Sequence, residues 1–206
     1  EKMATQLKMQ IATRTWVKEI HAEQQQLTVI KDGTESTQPY SQLVLAVGAN
    51  PIRLAIAGDG SNDIQVVNNL DDYKTFRAEL EKRADKRVVI LGAGLIGCEF
   101  ANDLQHTGHQ ATVIDLANQP LGRLLPAHVS SAFKENLEAT GIHFVLGTTV
   151  EKVSKIENGD YVVTLANGQS LVADVVLSAI GLQPSISLAK EADIQTSRGI
   201  LTNAQL

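Results

Sequence analysis

The sequence predicts an α/β fold, in which helices cover a parallel sheet and a three-stranded meander is attached to it. Two observations support this prediction. Residues 85–115 have the pattern of a buried strand, a glycine-rich turn, a helix and a second strand that ends in an acid. Elsewhere, alternating apolar and polar residues separated by turn signals indicate short antiparallel strands.

The glycine-rich turn directly follows the apolar strand 88–91. Gly92 allows a sharp turn out of the strand, Gly94 leaves room for phosphates, and Gly97 lets the helix pack close to the sheet. Backbone N–H groups at a helix N-terminus bind anions, so a pyrophosphate would fit there. G-x-G-x-x-G alone is a weak signal, but the preceding strand and the following apolar helix are the context that a Rossmann-like dinucleotide site requires.

The second strand, 111–114, ends at Asp115, which lies 18 residues after Gly97. In dinucleotide-binding units, an acid about 20 residues beyond the turn binds the adenosine ribose. A 2′-phosphate about 4 Å from this carboxylate would be repelled by about 4 kcal/mol at an effective dielectric constant of about 20. Residues 116–122 contain no arginine to bind a 2′-phosphate. The sequence therefore predicts NADH rather than NADPH, although a strand–turn–helix unit that binds nothing stays open.

Composition narrows the functional classes. The chain has 206 residues, 43% of them hydrophobic, and a formal net charge of −5, which disfavours a nucleic-acid partner. No apolar run approaches the roughly 18 residues of a membrane span. A single cysteine, Cys98, excludes an internal disulfide within these residues and is expected to be a small buried hydrophobe. The five histidines lack the spacing of metal ligands, so no metal site is predicted. A cytoplasm or another reducing compartment is expected from the single cysteine.

The chain also aligns with itself. Residues 11–20 lie over 144–153, and residues 46–51 lie over 179–184, at the same offset of 133 residues. A repeat of this length indicates a duplicated domain rather than a solenoid. Between its two anchors each copy has the pattern of a three-stranded meander followed by a buried strand. The turns of the meanders are expected at Asp32–Gly33, Asn158–Gly159 and Asn167–Gly168. The buried strands are expected at 42–47 and 174–180. Packing helices are expected at 73–83, after an N-cap at Asn69, and at 126–140.

The repeat predicts the domain organisation. The second copy is preceded by the glycine-rich turn, so the first should have its own turn upstream, and we expect the chain to be part of a longer protein. The predicted domains are residues 1–54 as the back half of a first dinucleotide-binding domain, 55–68 as a linker, 69–183 as a complete second domain inserted in the first, and 184–206 as a return to the first.

The turn has the sequence Gly-x-Gly-x-x-Gly-x-Glu over 92–99, and it lies between the two predicted meanders. The buried strands that follow the meanders end at Ala46-Val-Gly48 and at Ala179-Ile-Gly181. This combination resembles the pyridine nucleotide-disulphide oxidoreductase superfamily, and it is most similar to the rubredoxin reductase branch. The resemblance covers essentially the whole chain. It implies a flavoprotein fold in which the first, partial domain binds FAD and the second binds NADH.

The resemblance also implies an activity: hydride passes from NADH to FAD, and single electrons then pass to a small redox protein such as rubredoxin or ferredoxin. Glu99 would orient the nicotinamide. Its position in the first turn of the helix is equally explained by an acid that offsets the helix dipole. Val47 stands where the family has threonine, so one hydroxyl contact is absent. The implied NAD-binding residues are Gly92, Gly94, Ile96, Gly97, Glu99, Asp115, Ala179, Ile180 and Gly181, and the implied FAD-binding residues are Val17, Ala46, Val47 and Gly48.

Two alternatives stay open. One is a disulfide reductase, NADH oxidase or NADH peroxidase of the same superfamily, with its redox cysteine upstream of residue 1. The other is a non-catalytic module that senses NAD. The sequence does not identify the electron acceptor or the oligomeric state.

Overall fold

The computed structural model describes residues 2–82, 84–157 and 159–205. The helices are α1 (Lys2–Gln6), α2 (Leu70–Glu81), α3 (Leu95–His106), α4 (Ala127–Ala139) and α5 (Ser187–Glu191), with a short 3-10 helix at Ser61–Asp63. The first strands are β1 (Thr15–His21), β2 (Gln26–Lys31), β3 (Thr34–Pro39), β4 (Ala49–Pro51), β5 (Arg87–Leu91) and β6 (Gln110–Asp115). The others are β7 (His143–Leu146), β8 (Val150–Lys155), β9 (Tyr161–Leu165), β10 (Ser170–Ala173), β11 (Val175–Ser178) and β12 (Leu182–Pro184).

The chain forms two compact units. Unit 1 consists of Glu1–Ala49 and Pro184–Leu206, and unit 2 is Asn50–Gln183. The short strands β4 and β12 pair with each other. Two positions used in the sequence predictions, Arg83 at the end of one helix and Asn158 in one turn, lie outside the described residues.

Unit 1 contains the first predicted meander, in which β1, β2 and β3 pair in sequence as antiparallel strands. Its turn at Asp32–Gly33 is confirmed, because φ is +48° and +82° at these residues, in the left-handed region that a tight hairpin turn requires. Ile20 of β1 and Val29 of β2 are buried. The alternation read from the sequence therefore predicts this meander correctly.

The buried strand predicted at 42–47 is wrong. These residues are not in a strand, and Val44 is 85% exposed. A strand is held by a neighbouring strand that accepts and donates backbone hydrogen bonds, and a parallel strand is buried only when layers cover both faces. In the part of the chain that the structure describes, no strand pairs with 42–47. An apolar run alone does not produce a strand.

Unit 2 is built on a parallel sheet of four strands in the order β11-β5-β6-β7. Alternate residues of β5 enter two different cores, so this strand is buried on both faces. Val88 and Ile90 pack with helix residues such as Phe76, whereas Val89 and Leu91 pack with the second meander, which has the order β10-β9-β8. Burial of each such aliphatic side chain contributes about 1.5–3 kcal/mol. The continuous apolar pattern of this strand is explained by its two covered faces.

The other predicted elements of unit 2 are present with small differences at their ends. β5, β6 and β11 each lie within one residue or two of the expected bounds, and β11 pairs directly with β5. The N-cap predicted at Asn69 is confirmed, because its side chain accepts the N–H groups of Asp71 and Asp72. Helix α2 therefore begins at Leu70, earlier than the expected 73.

Residues 57–65, within the segment expected as a linker, are bonded to the strands of unit 2. The N–H of Ala57 donates to the carbonyl of Glu151 at 3.0 Å, and that of Gln65 donates to the carbonyl of Val176 at 2.9 Å. At Gly58, an added Cβ would clash with the backbone carbonyl of Val153. The domain bounds themselves stay a prediction. Among the described residues, no helix combines the length and apolar character needed to cross a bilayer.

Candidate dinucleotide-binding site

The glycine-rich turn lies between β5 and α3, and its three glycines have different surroundings. Gly92 has φ +105°, and an added Cβ would lie 2.6 Å from the carbonyl oxygen of Ala179. At Gly97 a Cβ would clash with the carbonyl oxygen of Gly92. At Gly94 nothing lies within 4 Å of the Cβ position. Gly92 and Gly97 are therefore needed for the fold, whereas Gly94 leaves open space.

The start of α3 presents unused backbone donors. The first N–H to bond within the helix region belongs to Cys98, which donates to the carbonyl of Gly94 at 3.0 Å. For the N–H groups of residues 94–97 the described residues provide no acceptor. Gly94, Leu95 and Ile96 are also exposed. Because the helix macrodipole places partial positive charge at this end, the four N–H groups suit a phosphate anion.

Asp115 ends β6 beside this turn, since Leu91 and Ile114 are paired in the parallel sheet. Its two carboxylate oxygens already accept backbone hydrogen bonds. Oδ2 accepts from the N–H of Ala93 at 2.6 Å, and Oδ1 accepts from the N–H of Ala117 at 2.7 Å. The side chain is half-buried. The carboxylate is thus held in place at the carboxyl end of the sheet.

The carbonyl of Ala93 is bound as well. It accepts from the N–H of Leu121 at 2.8 Å and from the Cys98 thiol at 3.6 Å. Burial raises the pKa of Cys98 to about 11, and the nearby acids Asp115 and Glu99 add to the shift, so this thiol stays protonated near neutral pH. Cys98 is buried, as expected from the sequence.

Sequence reasoning missed the contributions of Ala93, Ala117 and Leu121, because all three act through backbone groups. Leu121 also has φ +54°, a left-handed conformation that is uncommon for leucine. No residue type signals such contacts. The one available clue was Asp115 itself, since a carboxylate at a strand end accepts backbone N–H groups readily.

The end of β11 lies at the same edge of the sheet. The N–H of Ala179 donates to the carbonyl of Leu91 at 2.7 Å, and the carbonyl of Gly181, a residue with φ +113°, accepts from the N–H of Ile52 at 3.0 Å. The carboxyl ends of parallel strands meet at one edge, where ligands bind in open α/β sheets. The structure therefore places Ala179 beside the turn, at the same edge of the sheet as Asp115.

Glu99 lies in the first turn of α3, and its side chain is exposed. Within the described ranges it forms no ion pair or side-chain hydrogen bond. Its position suits both roles considered for it, contact with a nicotinamide and compensation of the helix dipole.

The residues expected to contact FAD lie in unit 1. Val17 is half-buried in β1, whereas Ala46, Val47 and Gly48 are exposed and lie outside the strands. Gly48 has φ +68° with open space at its Cβ position, and its carbonyl accepts from the N–H of Ser185 at 3.0 Å. Unit 1, as far as it is described, has no glycine-rich turn that opens a helix.

Among the described residues, no three His, Cys, Asp or Glu side chains are grouped closely enough to hold a metal ion.

Comparison with known proteins places this geometry in a family. The family model for pyridine nucleotide-disulphide oxidoreductases matches residues 1–206. A rubredoxin-NAD(+) reductase from Acinetobacter baylyi is 73% identical over 207 residues, which are 100% of this chain and 53% of that protein. A protein of the same name from Alcanivorax borkumensis is 42% identical over 206 residues, 100% of this chain and 52% of its own length.

Solved structures agree with the sequence relatives. A ferredoxin reductase from Rhodopseudomonas palustris superposes with a TM-score of 0.88 at 28% identity, covering 100% of this chain and 50% of that one. A putidaredoxin reductase in covalent complex with putidaredoxin gives a TM-score of 0.85 at 28% identity, over 96% of this chain and 48% of that one. The chain spans about half the length of the curated relatives it matches. On the full-length family match, the chain belongs to the pyridine nucleotide-disulphide oxidoreductase family.

Proposed function

We propose that the protein is an NADH-dependent flavoprotein reductase, which passes hydride from NADH to FAD and then single electrons to a small redox protein such as rubredoxin or ferredoxin. The observation that carries this proposal is the row of four unused N–H groups at residues 94–97 beside an anchored carboxylate at Asp115. The identity of 73% to a rubredoxin-NAD(+) reductase supports the choice of acceptor.

The start of α3 fits a pyrophosphate. The N–H groups of residues 94–97 point to no protein acceptor, and the space beside Gly94 is open to a ligand. Hydrogen bonds to a charged partner contribute about 1.5–3 kcal/mol each, so two or three of them would give most of the affinity for a dinucleotide. Ile96 and Gly97 would contribute through their backbone, and their side-chain identity would matter less than the shape of the turn.

Asp115 would bind the adenosine ribose. A carboxylate has about four acceptor positions, of which Ala93 and Ala117 use two, so positions are left for ribose hydroxyl groups. The same negative charge would repel a 2′-phosphate. We therefore propose NADH, rather than NADPH, as the electron donor.

The nicotinamide end would lie against residues 179–181, which follow β11 and of which Ala179 and Ile180 lie beside Gly92. When bound, NADH supplies a hydride and FAD accepts it and releases the electrons singly. Glu99 would orient the carboxamide from the first turn of α3. Val17, Ala46, Val47 and Gly48 would contact FAD, and Val47 would do so without the hydroxyl group that the family's threonine provides.

A cytoplasmic location is part of this proposal, because NADH and small iron proteins are available to the enzyme there. No nucleic-acid partner is proposed, since the net charge is −5.

Purified full-length protein tests the proposal. It should be yellow, absorb near about 450 nm as flavins do, lose this absorbance when NADH is added without oxygen, and regain it when oxidised rubredoxin is added. A colourless protein that still binds NADH would favour the NAD-sensing module. A yellow protein that reduces disulfides but not rubredoxin would favour the disulfide reductase alternative.

A further inference from the structure

Ala93 is the fixed point of the glycine-rich turn. It is 3% exposed, its N–H donates to Oδ2 of Asp115, and its carbonyl accepts from the N–H of Leu121. Asp115 is the last residue of β6 and Leu121 follows this strand, so both partners lie more than 20 residues from Ala93 in sequence. The peptide groups on the two sides of Ala93 are therefore held from outside the turn.

The residues that flank Ala93 give the turn little rigidity of their own. Gly92 has φ +105° and Gly94 lacks a side chain, and glycine permits many backbone conformations at similar energy. The direction of the N–H groups that follow depends on the orientation of the Ala93 peptide. Without an external bond, we expect the turn to sample several conformations, of which few point residues 94–97 at one anion.

The Asp115 carboxylate is suited to hold this peptide because it is itself anchored. Its other oxygen, Oδ1, accepts the N–H of Ala117 at 2.7 Å, so both oxygens have defined directions. The side chain is half-buried, and solvent therefore competes less with these bonds than at an exposed site.

We propose that Asp115 is a positioning residue for the pyrophosphate site as well as a ligand of the ribose. By fixing Ala93 it sets the row of N–H groups at residues 94–97 in the binding conformation before the dinucleotide arrives. This inference rests on the proposed binding of NADH at this turn. Its consequence is that Asp115 contributes to affinity for a dinucleotide that has no ribose hydroxyl groups to bind.

The test uses two ligands and the full-length protein. Dissociation constants are measured for NADH and for an NADH analogue that lacks both hydroxyl groups of the adenosine ribose, with wild type, Asp115→Ala and Asp115→Asn. Asp103→Ala is the matched control, because Asp103 is an exposed acid on α3 away from the turn. We expect Asp115→Ala to weaken binding of the analogue about tenfold, Asp115→Asn to weaken it less because one oxygen remains, and the control to change nothing.

A second measurement reports on the conformation of the turn in the ligand-free protein. Amide hydrogen exchange at Ala93 should be faster in Asp115→Asn than in wild type, while the melting temperature changes little. The inference would be overturned if Asp115→Ala bound the analogue as tightly as wild type and lost affinity for NADH alone, because Asp115 would then act only through the ribose. If wild type bound neither ligand, the proposed function itself would fail and this inference with it.

Discussion

Arg87 binds Asp174 through both its main chain and its side chain. The N–H of Arg87 donates to Oδ2 of Asp174 at 2.7 Å, and its guanidinium Nε donates to the same oxygen at 3.0 Å. The guanidinium also reaches Asp160 at 2.6 Å. Asp174 lies directly before β11 and its side chain is fully buried, so this group joins the parallel sheet to the second meander at the edge opposite the glycine-rich turn.

Asp174 should make the stability of unit 2 sensitive to acid. Burial raises the pKa of Asp174, but hydrogen bonds from the Arg87 side chain and backbone outweigh burial and hold the pKa well below its usual range. The stabilisation is therefore complete above the unfolded value of about 3.9 and is lost as the pH falls below it. Asp174→Asn should lower the free energy of unfolding at pH 7 by about 3 kcal/mol, measured by urea denaturation.

The same variant should also lose less stability than wild type between pH 5 and pH 3. Asp71→Asn is the control, because Asp71 forms an exposed ion pair with Lys74 and should change stability by about 0.5 kcal/mol or less. Equal acid sensitivity of wild type and Asp174→Asn would show that other carboxyl groups dominate.

Gly97 should not tolerate alanine. Because a Cβ at this position would clash with the carbonyl oxygen of Gly92, Gly97→Ala should destabilise the fold by about 2–3 kcal/mol in thermal or urea unfolding. Gly94→Ala is the matched control. Gly94 has φ −80° and free space around the Cβ position, so its substitution should change stability by about 0.5 kcal/mol or less. Similar losses for both variants would contradict the packing described for Gly97.

Removal of the Asp115 charge should change the preference between cofactors. The test is the double variant Asp115→Ala, Leu116→Arg, in which an arginine at the exposed position 116 replaces the carboxylate next to the 2′ position of the adenosine ribose. The ratio of kcat/KM for NADPH to that for NADH should rise about 100-fold or more. Both individual values should fall, because the Ala93 N–H loses its acceptor. Leu116→Ala should leave the ratio as it is in wild type. An unchanged ratio in the double variant would refute the proposed contact with the ribose.

Thr148 provides a test of the packing around Asp115. Its N–H donates to the Asp115 carbonyl at 3.2 Å, but its buried hydroxyl has no hydrogen-bond partner within the described part of the chain. An unpaired buried hydroxyl is unfavourable, so Thr148→Val, which keeps the shape, should stabilise the protein by about 1 kcal/mol and leave NADH affinity unchanged. Thr148→Ala should be less stable than Thr148→Val, because it leaves a cavity. Destabilisation by valine would mean that the hydroxyl is bonded in solution.

The parts of the fold that were predictable are those set by local pattern. The glycine positions predicted the turn, and the apolar runs predicted β5 and α3. The acid at the end of the second strand was correctly identified as Asp115. The run 42–47 had a similar pattern but forms no strand and is not buried, because burial depends on neighbouring strands that a local pattern does not contain.

Contacts between residues far apart in sequence, in the fold and in the site, were not predictable for a related reason. Asp174 meets Arg87 across 87 residues of sequence, and Leu121 meets Ala93 through backbone atoms. Backbone contacts leave no trace in residue types. Long-range ion pairs follow only once the strand order is known, since Asp174 precedes β11 and Arg87 begins β5.

The central claim is that the turn between β5 and α3 binds the pyrophosphate of NADH. Stopped-flow reduction of the bound flavin by NADH, in wild type and in Gly94→Val, tests it most directly. Nothing lies within 4 Å of the Cβ position at Gly94, so the added side chain would enter the open space beside the turn, and the variant should keep its flavin and its stability but be reduced at least about 100-fold more slowly at equal NADH concentration. Reduction of Gly94→Val at the wild-type rate would contradict the claim.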